Sequence, residues 1–295
     1  MLQNRRTDLA LEARELWQES AGEQTRLKGV HAWDSQREGY PITTVKILDQ
    51  EGAQALGKPV GTYVTLTVDA LERREEDAFG RAVRAVAAEL SGLLEGVDGP
   101  ALVAGLGNRA ITPDAIGPKV QEHILVTRHL VDQVPDHFGA FRPVACVAAG
   151  VLGTTGVESG ELVGALAEQL KPACVVAVDA LASRSLDRLC RTIQIADTGI
   201  APGSGVGNHR RALNRENLGV PVIAVGVPTV VDGATLAADL LGTADLPPLG
   251  KGRDLLVTPK DIDSQVGDLA KVIGYGITLA LQPGLSLEDM ELLMS

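Results

Sequence analysis

Two aspartates stand at the carboxyl ends of expected strands in this chain, and their placement suits acid–base chemistry on a water molecule. Asp114 ends the stretch Ala101-Leu-Val-Ala-Gly-Leu-Gly-Asn-Arg-Ala-Ile-Thr-Pro-Asp114. Ala101 to Ala104 reads as a buried strand, and Gly105 to Asn108 as the turn that closes it. If Thr112 caps a helix with Pro113 at its first position, Asp114 falls in the first helical turn. If Gly117-Pro118 begins the helix instead, Asp114 lies in the turn just ahead. Either way a carboxylate stands at the carboxyl end of a strand, facing a helix N-terminus. Taken alone, such an acid is more simply a complement to the helix dipole, worth a few tenths of a kcal/mol. Asp179 changes the balance. It ends Ala173-Cys-Val-Val-Ala-Val-Asp179, a run as continuous as a strand covered on both faces. Ligands of open parallel sheets bind beyond the strands' carboxyl ends. Two carboxylates brought to one such edge can share a proton and activate a water.

The elements that must position these acids follow from periodicity. Met1 to Asp8 is polar and reads as a frayed end, and Leu9 to Gln18 as a helix with Leu9, Ala13, Leu16 and Trp17 on one face. Residues 20 to 40 are polar and turn-rich. Ile42–Leu48 and Thr62–Val68 alternate as an antiparallel strand pair around the Gly52–Gly61 segment. A helix follows over roughly Glu75 to Leu94, with Phe79, Val83, Val86 and Leu90 in its stripe. Strands and helices then alternate: 101–105, 116–132, 143–149, 158–170, 173–179, 185–190, 192–196 and 221–227. A final long helix runs from Thr258 to about Leu281, with a short helical tail after Ser286. This order predicts an α/β fold, a mostly parallel sheet covered by helices on both faces, with a small N-terminal antiparallel pair. At this length one domain spanning 1–295 is expected, with 243–253 as a Pro/Gly-rich linker.

Composition excludes several functions. The net charge of −11 leaves no basic excess to displace counterions from nucleic acid or to bind an anionic membrane. No apolar run reaches transmembrane length, and the polar start has no signal-peptide pattern. Cys146, Cys174 and Cys190 sit in apolar surroundings without CxxC spacing, as in a reduced intracellular protein. The five histidines are scattered and HExxH is absent, so nothing local encodes a metal site, and no cofactor is expected. Gly105-Leu-Gly-Asn-Arg-Ala110 matches a loose dinucleotide fingerprint, but Pro113 and Pro118 interrupt the helix that should follow directly. Two glycine-rich loops remain. Gly150–Gly156 is no more than a turn needs. The loop from Asp197 to Asn208 is glycine-rich beyond that, and Gly203, Ser204, Gly205, Gly207 and Asn208 are assigned to a substrate-facing loop at the same sheet edge. From these residues alone, the chain reads as a carboxylate hydrolase.

The strings Arg6-Thr-Asp-Leu-Ala10, Gly105-Leu-Gly-Asn108, Thr112-Pro-Asp-Ala-Ile-Gly-Pro118, Val178-Asp-Ala-Leu-Ala182, Thr192-Ile-Gln-Ile-Ala-Asp-Thr-Gly199, Pro202-Gly-Ser-Gly-Val-Gly-Asn208 and Val257-Thr-Pro-Lys-Asp-Ile-Asp263 resemble the germination proteases of spore-forming bacteria. The resemblance runs in order from residue 6 almost to the C-terminus. It implies an aspartic-type endopeptidase that degrades small acid-soluble spore proteins at germination, in the cytoplasm of forespore and spore core. It also implies a homotetramer, made as a zymogen, with a fold similar to hydrogenase maturation peptidases. The family's two essential aspartates fall on Asp114 and Asp179. Asp114, near backbone N–H groups, is expected to be the more acidic, and burial to raise the pKa of Asp179. The family matures by self-cleavage, here at Asp8–Leu9, on a segment expected to be accessible; residues 1–8 are then the propeptide. An acidic residue before an apolar one also resembles the glutamate–apolar bonds the family cuts. Between Leu241 and Leu256 the family carries a longer insertion than this chain, which weakens the inference of tetramer assembly. Three other readings stay open at this point: a metal-dependent peptidase using the same acids, a nucleotide-binding enzyme, and a non-catalytic binder of spore proteins.

Overall fold

The computed structural model describes residues 7–20, 27–202, 211–242 and 255–294. The strands are β1 (Val30–Arg37), β2 (Tyr40–Ile47), β3 (Gly61–Thr67), β4 (Ala101–Leu106), β5 (Val144–Gly150), β6 (Cys174–Ala182), β7 (Thr192–Ala196), β8 (Val222–Asp232) and β9 (Leu256–Val257). The helices are α1 (Ala10–Ser20), α2 (Gln50–Leu56), α3 (Asp69–Glu72), α4 (Ala78–Leu93), α5 (Ile116–Gln121), α6 (Arg128–Gln133), α7 (Pro135–Phe138), α8 (Leu152–Thr155), α9 (Ser159–Leu170), α10 (Arg215–Leu218), α11 (Gly233–Leu241), α12 (Ile262–Leu281) and α13 (Leu287–Leu293). One sheet runs in the order β1-β2-β3-β7-β8-β6-β4-β5, with β9 paired to β8. Its core, β5-β4-β6-β8, is parallel. From β8 outwards through β7, β3 and β2 to β1 every pairing is antiparallel.

Every residue of β8 is buried, as are all of β4 and all but one of β6, so these strands read as unbroken apolar runs. One face of the sheet packs on α4, α5 and α12, around Val83, Val86, Val176, Ile273 and Ile277. The other face carries a smaller cluster, with Leu102, Ala177 and Val163 of α9. A third cluster seats Ala10 and Ala13 of α1 on Val45, Ile47 and Tyr63.

The antiparallel part is larger than the expected strand pair. β1 adds a third N-terminal strand, and β7 joins it to the core. A single 3-10 turn, Leu186–Arg188, links β6 to β7, too short a connection to cross the sheet and return parallel. The helix expected over 116–132 is broken into α5 and α6. Between them the Thr127 hydroxyl donates to the Arg142 carbonyl and accepts from the Val144 N–H, which ties that segment to the sheet edge.

Candidate active site

Asp114 is delivered by a 3-10 turn, Thr112–Asp114, that ends one residue before α5. Of the two expected helix starts, the one at Gly117-Pro118 holds to within a residue, with Asp114 in the turn just ahead of it. Several contacts pin the turn. The Thr229 hydroxyl at the end of β8 donates to the Pro113 carbonyl at 2.6 Å, and the Thr112 hydroxyl donates to Asp263 of α12 at 2.7 Å. The Asn108 N–H, just past β4, donates to both the Asp114 carbonyl (2.9 Å) and its carboxylate Oδ2 (2.8 Å). Two glycines make this approach possible. Gly107 has φ +108°, and a Cβ there would stand 2.1 Å from the Asp114 carbonyl oxygen. Gly117 in α5 lies so close to β4 and β6 that a Cβ would meet the Leu106 N at 2.4 Å and the Val178 O at 2.6 Å. The Gly105–Asn108 glycines thus serve close backbone packing, with the Asn108 amide already given to Asp114.

Asp179 lies on β6 and is 6% exposed. Its Oδ1 accepts from the Ala180 N–H at 2.9 Å. Asp114 and Asp179 line one cavity of about 840 Å³ at the carboxyl ends of β4, β6 and β8. The parallel register sets Asp179 opposite Gly226 on β8, and the antiparallel register sets Gly226 opposite Gln194 on β7. Asp179, Gly226 and Gln194 therefore form a row across the sheet, with no side chain on its middle member.

The N-terminal segment enters the same cavity, which Thr7 and Asp8 line. The Asp8 N–H donates to the Ala182 carbonyl (2.9 Å), and the Ala182 N–H donates to the Asp8 carboxylate (2.8 Å). The Gln194 side chain spans the Asp8–Leu9 bond: its Nε2 donates to the Asp8 carbonyl (3.2 Å) and its Oε1 accepts from the Ala10 N–H (2.8 Å). Leu9 is fully buried. The expectation of an accessible bond is thus overturned. Leu9, just ahead of α1, and Ala10, its first residue, are buried in the core, while Gln194 and β6 hydrogen-bond Asp8 and Ala10. Beyond them Glu12, also fully buried, accepts from Thr7 Oγ1, the Arg184 and Ser185 N–H groups and Arg188.

Lys58 lines the cavity as well, and its ammonium donates to the Thr7 carbonyl at 3.1 Å. Desolvation pulls its pKa below the usual lysine value, against the opposing pull of Asp8 and Glu12. Burial pushes the Tyr63 phenol, on the cavity wall, up to about 12, so it stays a neutral donor near neutrality. Gly203, Ser204, Gly205, Gly207 and Asn208 lie outside the described residues. Their flanks do reach the cavity: Ile200 and Leu213 form a two-bond bridge, and Ile200, Pro202 and Ala212 line it. Among the described residues no group of three or more His, Cys, Asp or Glu is gathered to hold a metal.

Known proteins match this chain along most of its length. The germination protease family profile covers residues 10–246. The germination protease of Clostridium perfringens is 43% identical, over 97% of this chain and 98% of that one. The chain belongs to the germination protease family. It is an endopeptidase. The germination protease of Caldanaerobacter subterraneus is 44% identical over 98% of each chain. The Clostridium perfringens alignment spans 320 positions against 295 residues here, so that germination protease carries residues this chain lacks. A [NiFe] hydrogenase maturation protease from Thermococcus kodakarensis overlaps 64% of this chain and 98% of its own, at 20% identity and a TM-score of 0.37, which carries nothing further. No described helix is long and apolar enough to cross a membrane.

Gln194, Lys58 and Thr229 were not singled out by sequence. Gln194 sits inside a short apolar strand, where one polar residue on a buried face was the available signal.

Proposed function

We propose that this germination protease homologue cleaves small acid-soluble spore proteins with Asp114 and Asp179 as its catalytic pair. The observation that carries this is the meeting of both acids in one cavity that also receives the chain's own peptide segment. We assign Asp114, whose carboxylate accepts from the Asn108 N–H, the role of base and Asp179, which is 6% exposed, the role of acid. Asp114 takes a proton from the water as its oxygen bonds to the scissile carbonyl carbon, while Asp179 protonates the carbonyl oxygen. Asp114 then passes its proton to the departing nitrogen as the C–N bond breaks, and Asp179 recovers a proton from the collapsing diol.

Residues 1–8 act as a propeptide removed by self-cleavage at Asp8–Leu9, and the chain that retains them is the latent form. Gln194 and Asp179 stand two strand spacings apart, about 10 Å. The bond is thus held over the row that carries Asp179. The active molecule is a homotetramer of one-domain subunits.

The test incubates the matured protein with a purified small acid-soluble spore protein, with and without a chelator, and reads products by mass. Discrete fragments in both samples are expected, together with a mature N-terminus at Leu9. Loss of cleavage with chelator would instead favour a metal-dependent peptidase. Absence of fragments would favour a binding protein.

A further inference from the structure

Asp8 does more than fill the cavity; its side chain is received there. Its carboxylate accepts from the Ala182 N–H while its own N–H returns a bond to the Ala182 carbonyl, so side chain and backbone of one residue are read together. Lys58 stands near enough that both Asp8 and Glu12 hold its proton on. These two carboxylates differ in their prospects. Glu12 belongs to α1 and is occupied by Arg188 and two backbone N–H groups. Asp8 lies on the segment whose Thr7 carbonyl also caps the ammonium. If residues 1–8 leave, the Ala182 N–H loses its carboxylate and Lys58 keeps only Glu12, already engaged elsewhere, inside a cavity both share with Asp114 and Asp179. A partly desolvated ammonium and an aimed N–H then present a vacancy for a carboxylate.

We propose that Lys58 and the Ala182 N–H form the subsite for an acidic side chain immediately before the bond cut in a substrate, and that Asp8 occupies that subsite in the intact chain. This rests on the reading of the cavity as the peptidase site. Lys58 supplies the charge preference, the Ala182 N–H supplies the register, and Gln194 aligns the backbone on either side of the bond. The same subsite then explains why the segment keeps the chain latent: it competes for the position a substrate's acid needs.

The decisive experiment uses the full chain after maturation checked by mass, and two peptides copying residues 3–14, one with aspartate and one with asparagine at the position of Asp8. The parent should favour the aspartate peptide in kcat/KM by about tenfold or more, and Lys58→Met should bring that ratio to within about twofold of one, with Lys58→Arg restoring most of it. An unchanged ratio in Lys58→Met, or an equal loss on both peptides, overturns the subsite. A second measurement does not depend on catalysis. In the unprocessed chain, Asp8→Asn and Lys58→Met should each speed hydrogen exchange at the Ala182 amide by about tenfold, and the double variant no further than the singles. Additive effects would overturn the proposal. If the parent cuts neither peptide, or Asp114→Asn cuts as fast as the parent, the reading of the cavity fails, while the exchange cycle still judges the subsite.

Discussion

Substituting Gly107 by alanine perturbs Asp114, the carboxylate proposed as catalytic, without removing it. The added Cβ would lie 2.1 Å from the Asp114 carbonyl oxygen and 3.0 Å from its Oδ1. Ordinary contact begins near 3.4 Å, so the 112–114 turn must retreat by roughly 1 Å. That retreat works against the Asn108 N–H, which holds both Asp114 oxygens, and against Thr229 and Asp263, which fix the turn from the other side. A misplacement of about 1 Å costs about 100-fold in rate, equivalent to about 2.7 kcal/mol of barrier. The positive φ of Gly107 adds about 1–3 kcal/mol of backbone strain to the folded state. Gly107→Ala should therefore fold with a lowered denaturation midpoint and cut a spore-protein substrate about 100-fold more slowly, mostly in kcat. Steady-state kinetics beside chemical denaturation reads both effects. Full kcat with unchanged stability would refute the claim that the turn is held rigidly against β4.

Three further outcomes follow from buried groups. Glu12→Ala leaves two N–H groups and part of the Arg188 pairing unmet, and should cost about 3 kcal/mol in urea denaturation; a cost below about 1 kcal/mol would show that this anchor of α1 is dispensable. Burial, with Lys271 adding to it, holds His123 below its usual 6.5 against the pull of Glu122, so the unfolded chain takes up a proton there before the folded one does. Stability should therefore fall as pH drops below about 6.5, and His123→Gln should flatten that slope in denaturant midpoints taken between about pH 7 and 5; an unaltered slope would contradict it. Burial pushes the thiols of half-buried Cys146 and buried Cys190 up to about 12, so alkylation of the native protein at about pH 8 should run hundreds of times slower at these two than at a free thiol, and quickly once urea is added; fast native labelling of either would contradict the raised pKa.

The parallel core was legible because β4, β6 and β8 are buried on both faces and read as apolar runs with turn residues at their ends. Asp179 was conspicuous because it is a carboxylate in such a run, and Asp114 because it stands between a strand end and a helix N-terminus; the structure brings the two into one cavity. β1 was not, because Val30–Arg37 is an edge strand exposed along most of its length, and it shows no alternation. The direction of β7 was equally hidden, since nothing in Thr192–Ala196 says whether the short turn before it reverses the chain. Asp8 shows another limit. A short polar N-terminus carries no apolar signal, and its order comes from Gln194, Lys58 and Ala182, which lie at least fifty residues further along the chain. Such long-range polar bonds leave no local pattern to read.

The central claim, that Asp114 and Asp179 together carry the hydrolysis, is tested most directly by Asp179→Asn. The amide keeps the size of the carboxyl group but cannot exchange its proton with a substrate carbonyl. Made in a chain begun at Leu9, so that no self-cleavage is needed, the substitution should lower cleavage of a small acid-soluble spore protein by about 10³-fold or more in kcat, with the substrate still bound and the unfolding free energy within about 1 kcal/mol of the parent. Cleavage within about tenfold of the parent would contradict the account.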